Sequence, residues 1–306
     1  MEFDALAVRA TRRATTPREA RSLEEIVFAG HSGLKIAADV AGPAGGPAVV
    51  LMHGGGQTRY SWKKGLETLA ARGYRTYSLD SRGHGASEWA ADADYSLDAQ
   101  VADLVAVLAQ LPARPALIGA SMGGVTALAA VGEHRVQARS LVLVDVTPKI
   151  DESGAQRIGA FMRANPDGFG SLEEVADAVS AYNPHRPRPG DVSGLRRNLR
   201  EADGRLYWHW DPNFISSDRR LDPKAFQARL EAATRGVAIP TLLIRGASSD
   251  VVGIAEVEHF QALLPAAEYV DVQGAGHMVA GDRNDHFNSA IVEFLVRTDA
   301  ARGVVA

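Results

Sequence analysis

Four apolar runs, at residues 47–52, 115–120, 141–144 and 241–244, are set among stretches with helical spacing. The run at 47–52, with Val49, Val50, Leu51 and Met52, shows no polar alternation, the pattern of a strand buried on both faces of a sheet. A further strand is predicted at 74–79, and helices are predicted at 62–72 and 97–111. In the second helix Leu97, Val101, Leu104, Val105 and Leu108 form one stripe. This alternation predicts an α/β fold with a mostly parallel sheet covered by helices on both faces. Residues 23–28 and 34–40, split by a turn at 29–33, read as an opening antiparallel pair. A helix at 255–264, a strand at 268–272 and a helix at 285–296 complete the pattern, for eight strands in all.

The alternation breaks between residues 148 and 236. Pro166, Pro184, Pro187, Pro189, Pro212 and Pro223 fall there, with a helix-compatible piece at 172–182. A helical cap inserted after the sixth strand is expected, giving a core of residues 23–147 and 237–306 and a cap of 148–236. A chain of 306 residues is long enough for one such domain with an insertion. The aromatic cluster Tyr207, Trp208, His209 and Trp210, with Phe214, either packs the cap or faces a pocket. Trp62, Tyr207, Trp208, Trp210 and Phe214 are the candidates for a substrate pocket. Residues 1–22 carry Arg9, Arg12, Arg13, Arg18 and Arg21 without an apolar segment, so they read as a lead or short helix rather than a secretory signal.

A net charge of -4 offers no basic footprint for nucleic acid, and no apolar stretch is long enough for a membrane span. With no cysteine, neither disulfides nor thiolate metal sites are available. No H-E-x-x-H helix and no dinucleotide-type glycine pattern occurs, so no metal or other cofactor is implied. A cytoplasmic location is the default expectation, and assembly into a homo-oligomer is left open.

Gly119-Ala120-Ser121-Met122-Gly123-Gly124 sits where an apolar run gives way to helical spacing. One reading is a nucleophile elbow that lifts Ser121 above the sheet edge, with glycines where side chains would strike backbone. The other is a plain helix start capped by Ser121. His53-Gly54-Gly55-Gly56-Gln57 follows the first buried strand. Its glycines either free amides for an oxyanion or merely make a tight turn. Residues 80–87, with Asp80 and His84, read as a bracing loop. Asp145, Asp250 and His277 each follow a predicted strand and share a rim with Ser121.

Serine, acid and histidine in that chain order, together with these motifs, resemble the α/β-hydrolase superfamily, in particular its capped esterases, lactonases and carbon–carbon bond hydrolases. The resemblance spans residues 23–299. It matches His53-Gly54-Gly55 to the oxyanion loop, Asp80 to Gly85 to the turn after the next strand, Gly119 to Gly123 to the elbow, and Gly276-His277 to the base. It implies a triad of Ser121, Asp250 and His277, with Asp145 as the alternative acid. Gly55 and Met122 would supply the oxyanion amides. A serine hydroxyl needs a neutral imidazole to take its proton, and the resulting cation needs a carboxylate beside it.

The expected activity is cofactor-free hydrolysis of a carboxylic ester of a small apolar or aromatic molecule through an acyl-enzyme. A serine at the elbow argues against epoxide hydrolases and haloalkane dehalogenases, which use aspartate there. Lactonase, carbon–carbon hydrolase and perhydrolase chemistry remain open on the same triad. So does a ligand receptor built on the scaffold.

Overall fold

The computed structural model describes residues 23–183, 188, 190–216, 222–277 and 284–304. The expected lead at 1–22 lies outside them, as do Pro184, Pro187 and Pro189. The opening hairpin is β1 (Glu24–Ala29) and β2 (Lys35–Ala41). The other strands of the main sheet are β3 (Ala48–Met52), β4 (Arg75–Leu79), β5 (Ala116–Ala120), β6 (Ser140–Val144), β9 (Thr241–Gly246) and β10 (Glu268–Val272). They form an eight-stranded sheet in the order β1-β2-β4-β3-β5-β6-β9-β10, in which only β2 runs against its neighbours. The expected mostly parallel sheet is thus present, including the antiparallel opening pair.

Successive residues of a strand point to opposite faces, so each apolar run feeds two cores at once. Val50, Leu117, Leu141, Leu143 and Leu243 pack on one face. There they meet α2 (Leu97–Ala109) through Val101 and Leu104, α3 (Met122–Gly132) through Leu128, and α7 (Ile254–Leu263) through Phe260. Val49, Leu51, Ile118, Val142, Leu242 and Ile244 pack on the other face, against Leu66 and Leu69 of α1 (Lys63–Ala71) and Phe294 and Leu295 of α8 (Asn284–Ala300). Leucines buried this fully are worth about 1.5–3 kcal/mol each in removed apolar surface, which explains why the strands lack polar alternation.

Helix starts carry their own signals. Ser96 Oγ accepts the N–H of Ala99 at 3.2 Å at the head of α2, with Asp98 in the first turn. Ser96→Ala is expected to lower stability by about 1 kcal/mol. It should appear as a lower urea midpoint at unchanged slope.

After β6 the chain leaves the sheet. Helices α4 (Glu152–Arg163) and α5 (Leu172–Tyr182) and an antiparallel hairpin, β7 (Leu199–Ala202) with β8 (Arg205–Trp208), close around a separate apolar cluster of Met162, Phe169, Val175, Leu206, Trp208 and Trp210. Two features differ from the expectation of a helical cap over 148–236. The aromatic cluster lies on and just after a strand. In addition α6 (Pro223–Gly236) belongs to the sheet core, since Leu230 joins the cluster around α3. A Cβ on Gly132 would lie 1.9 Å from the carbonyl oxygen of Ala233, so only glycine permits that approach of α3 and α6. The insertion is moored to the core by Asp211, whose N–H donates to Gly83 O at 2.9 Å and whose carboxylate accepts from the Tyr95 hydroxyl.

Candidate active site

Ser121 stands between β5 and α3 with φ 45° and ψ -114°, and its side chain caps nothing. A helix-capping serine has extended backbone angles and accepts from the helix, so the plain helix start does not describe it. The turn is instead a strained elbow. Its N–H reaches across to Val144 O at 3.0 Å, which pins the turn to β6. A Cβ on Gly119 would lie 2.4 Å from Gly123 O, and one on Gly123 would lie 2.6 Å from Met52 Cβ and its carbonyl oxygen. These glycines are where the elbow folds against itself and against β3.

The loop after β3 approaches the same serine: a Cβ on Gly54 would sit 3.4 Å from Ser121 Cβ. Most of its amides are committed. Gly54 N–H donates to Gln57 Oε1 at 3.0 Å, Gly56 N–H to His84 Nε2 at 3.2 Å and Gln57 N–H to Gly54 O at 3.1 Å. On the elbow side Gly123 N–H donates to His53 O at 3.1 Å. The amides of Gly55 and Met122 have no acceptor among the described residues. Two unspent N–H donors beside a serine suit an oxyanion.

Three buried histidines hold that loop in place. His53 Nδ1 donates to Gly54 O at 2.8 Å and its Nε2 accepts from Ser81 N at 3.0 Å. His84 accepts from Gly56 through Nε2, while its Nδ1 donates to Arg82 O at 3.1 Å. His209, from the insertion, accepts from Gly85 N at 2.8 Å through Nδ1 and donates from Nε2 to Gly56 O at 3.3 Å. Every ring thus has one donating and one accepting nitrogen, the neutral form. Burial, with the neighbouring histidines, pushes His84 well below the usual histidine range. Burial likewise lowers His53, opposed by Asp80, and brings His209 down to about 4. His84 is therefore a brace, as the bracing reading of residues 80–87 holds. Asp80 does the same work there, accepting from Arg59 N at 2.7 Å and Ala86 N at 2.9 Å.

Of the two candidate carboxylates, the one paired with His277 is the alternative, Asp145. His277 Nδ1 lies 2.6 Å from Asp145 Oδ2, so the ring donates to Asp145 and not to Asp250. Asp145 follows β6, its own φ is 50°, and its side chain is buried. The carboxylate also accepts from Gly246 N at 3.1 Å and from Ser249 Oγ at 2.5 Å. Ser249 is in turn fixed by the amides of Val251 and Val252. Asp250 sits one residue beyond Ser249, half exposed, in an ion pair with Arg157 of α4. The loop after β9 therefore holds the Asp145 carboxylate through Ser249 and carries Asp250 away from His277.

The pocket candidates divide. Trp62 is buried against Phe287, in the cluster of α1 and α8, and is not a pocket residue. Trp208 is packed inside the insertion, stacked on Trp210 at 5.1 Å, and Tyr207 lies against the Arg200 guanidinium at 4.6 Å. Trp210 and Phe214 do reach the glycine loop after β3. A Cβ on Gly56 would lie 3.4 Å from Trp210 Cζ3, and one on Gly55 would lie 3.8 Å from Phe214. Met162, which gave no signal in sequence beyond one apolar position of a helix, comes as close, at 3.3 Å from the same Gly56 Cβ. Among the described residues no cluster of three or more His, Asp or Glu is placed to hold a metal ion, and no helix is long and apolar enough to cross a membrane.

A family model described as the alpha/beta hydrolase fold matches residues 47–283. An esterase of Mycobacterium tuberculosis is 31% identical over 78% of this chain and 78% of its own length. A 3-hydroxybutyrate-oligomer hydrolase of Cupriavidus necator is 29% identical over 77% of this chain and 84% of its own. Among solved structures, an E-2-(acetamidomethylene)succinate hydrolase shares the fold with a TM-score of 0.76 at 22% identity, over 90% of this chain and 99% of that one.

Proposed function

The chain belongs to the α/β-hydrolase family as an ester-cleaving enzyme, and from that premise we propose that Ser121, His277 and Asp145 form its catalytic triad beneath a cap made by the segment between β6 and α6. The observation that carries this reading is the Asp145–His277 hydrogen bond at 2.6 Å on the rim that also bears the strained Ser121. Asp145 holds the ring with Nδ1 protonated, so Nε2 is the nitrogen free to take the Ser121 proton as Oγ attacks the acyl carbon. The carbonyl oxygen gains charge in the tetrahedral intermediate, and the amides of Gly55 and Met122 receive it. One such donor is worth on the order of 3 kcal/mol in the transition state. The imidazolium then protonates the leaving alcohol, and water activated by the same ring releases the acid.

Met162, Trp210 and Phe214 make the side of the site facing Gly55 and Gly56 apolar. A small ester with an apolar or aromatic acyl part fits that lining. The similar esterase and oligomer hydrolase support ester cleavage as the reaction.

A fluorophosphonate tests the nucleophile directly. One equivalent is expected to attach to Ser121 in the folded protein, none after unfolding in urea, and none to Ser121→Ala. Labelling at another serine, or equal labelling of the folded and unfolded chain, would remove Ser121 from this role.

A further inference from the structure

A cavity of about 430 Å³ opens between the insertion and the core on the side of His209 that faces Gly85. Tyr60, Trp89, Arg196, Arg197, Arg200 and His209 are its principal walls, together with Arg59 and no carboxylate among the described residues. The four arginines differ in what they already hold. Arg59 is neutralised inside the core by Asp39 at 2.7 Å and Asp80 at 2.5 Å. Arg196 has a loose exposed contact with Glu201 at 3.4 Å. Arg197 lies over the Tyr60 ring at 5.5 Å, and Arg200 lies between the rings of Trp89 at 5.4 Å and Tyr207 at 4.6 Å. The Nε of Arg200 is buried with no hydrogen-bond partner among the described residues. A buried guanidinium donor without an acceptor costs free energy unless a ligand or water meets it. Trp89 meanwhile exposes 41% of its surface.

We propose that this cavity binds a small organic anion, with a carboxylate or phosphate on Arg197 and Arg200 and an attached flat ring against Tyr60 and Trp89. Planar guanidinium groups match such anions in pairs of charge-assisted hydrogen bonds. Ring faces already stacked on arginine extend the platform for a flat ligand. The cavity falls in the volume range of roughly 300–1,000 Å³ typical of small-molecule sites. His209, one of its walls, also donates from Nε2 to Gly56 O in the loop after β3.

Calorimetric titration with phenyl phosphate at low ionic strength tests the site. Saturable binding to one site is expected, weakened about tenfold or more by Arg197→Gln and by Arg200→Gln, the loss typical of a charge-assisted bond. Phenol, which lacks the anion, should not bind measurably. Because Arg197 is exposed, its variant keeps the test intact if Arg200→Gln folds poorly. Unchanged affinity in Arg197→Gln, or equal binding of phenol, would overturn the proposal. The rate of Ser121 labelling with phenyl phosphate present separates the two sources of such an anion. Slower labelling identifies an acidic arm of the substrate, an unchanged rate identifies a separate ligand, and either upholds the site.

Discussion

Asp145→Asn is expected to lower kcat/KM for a simple aryl ester by about 10⁴-fold, the loss seen when a triad carboxylate becomes an amide. The amide keeps the shape of the side chain but can present N–H to His277 Nδ1, which then favours the tautomer with its proton on Nε2. That ring cannot accept from Ser121. Asp250→Asn should stay within about twofold of wild type, since an exposed ion pair with Arg157 contributes little. Thermal midpoints of both variants check that folding is intact, and KM should move far less than kcat, because the imidazolium needs the carboxylate only once it has formed. A large loss in Asp250→Asn with an active Asp145→Asn would return the acid to the loop after β9. Ser249→Ala offers an intermediate point. It removes the hydroxyl that donates to Asp145 Oδ2 at 2.5 Å but leaves the Gly246 amide and His277 in place.

The choice between Asp145 and Asp250 shows where reading the chain reaches its limit. Both follow buried strands, and β6 and β9 are adjacent and parallel, so both rim positions lie within reach of the same histidine. What separates them is backbone geometry at a single residue. The left-handed φ of Asp145 turns its carboxylate inward over β9, while the turn at Ser248 and Ser249 carries Asp250 outward. Periodicity does not encode that. The sheet itself was legible because each strand must bury two faces and therefore lacks polar alternation. The elbow was legible because Gly119 and Gly123 tolerate no side chain. The insertion was the hard part. Residues 199–208 form a hairpin whose strands alternate weakly, and α6 carries its core-facing residues amid a largely polar surface, so neither announced its layer. Trp62 misled for a related reason: an aromatic close in sequence to the glycine loop after β3 packs into the α1 and α8 layer against Phe287.

The histidines around Gly56 make the site sensitive to acid in a direction that follows from their protonation. His209 stays neutral in the folded chain to about pH 4, because burial and then His53 oppose its charge. In the unfolded chain it takes a proton near 6.5. Between those values the unfolded state binds more protons, so stability rises with pH and is lost as pH falls from about 6.5 towards 4. His209 alone accounts for about 3 kcal/mol across that window. His53 and His84, with ring centroids 5.2 Å apart, and His84 and His209, at 5.7 Å, act in the same direction. Once protonated, Nδ1 of His209 can no longer accept from Gly85 and instead faces that donor, so the contact between the insertion and the 80–87 loop fails while Nε2 still donates to Gly56 O. Urea unfolding at pH 7 and pH 4.5 should show this fall. His209→Gln, which keeps an acceptor and a donor but cannot be protonated in this range, should start less stable at pH 7 and lose less on acidification. Equal acid losses in the two proteins would mean that His209 does not carry the effect. A flattened pH dependence in the variant would show that the acid loss is carried by the neutral His209 ring that accepts from Gly85.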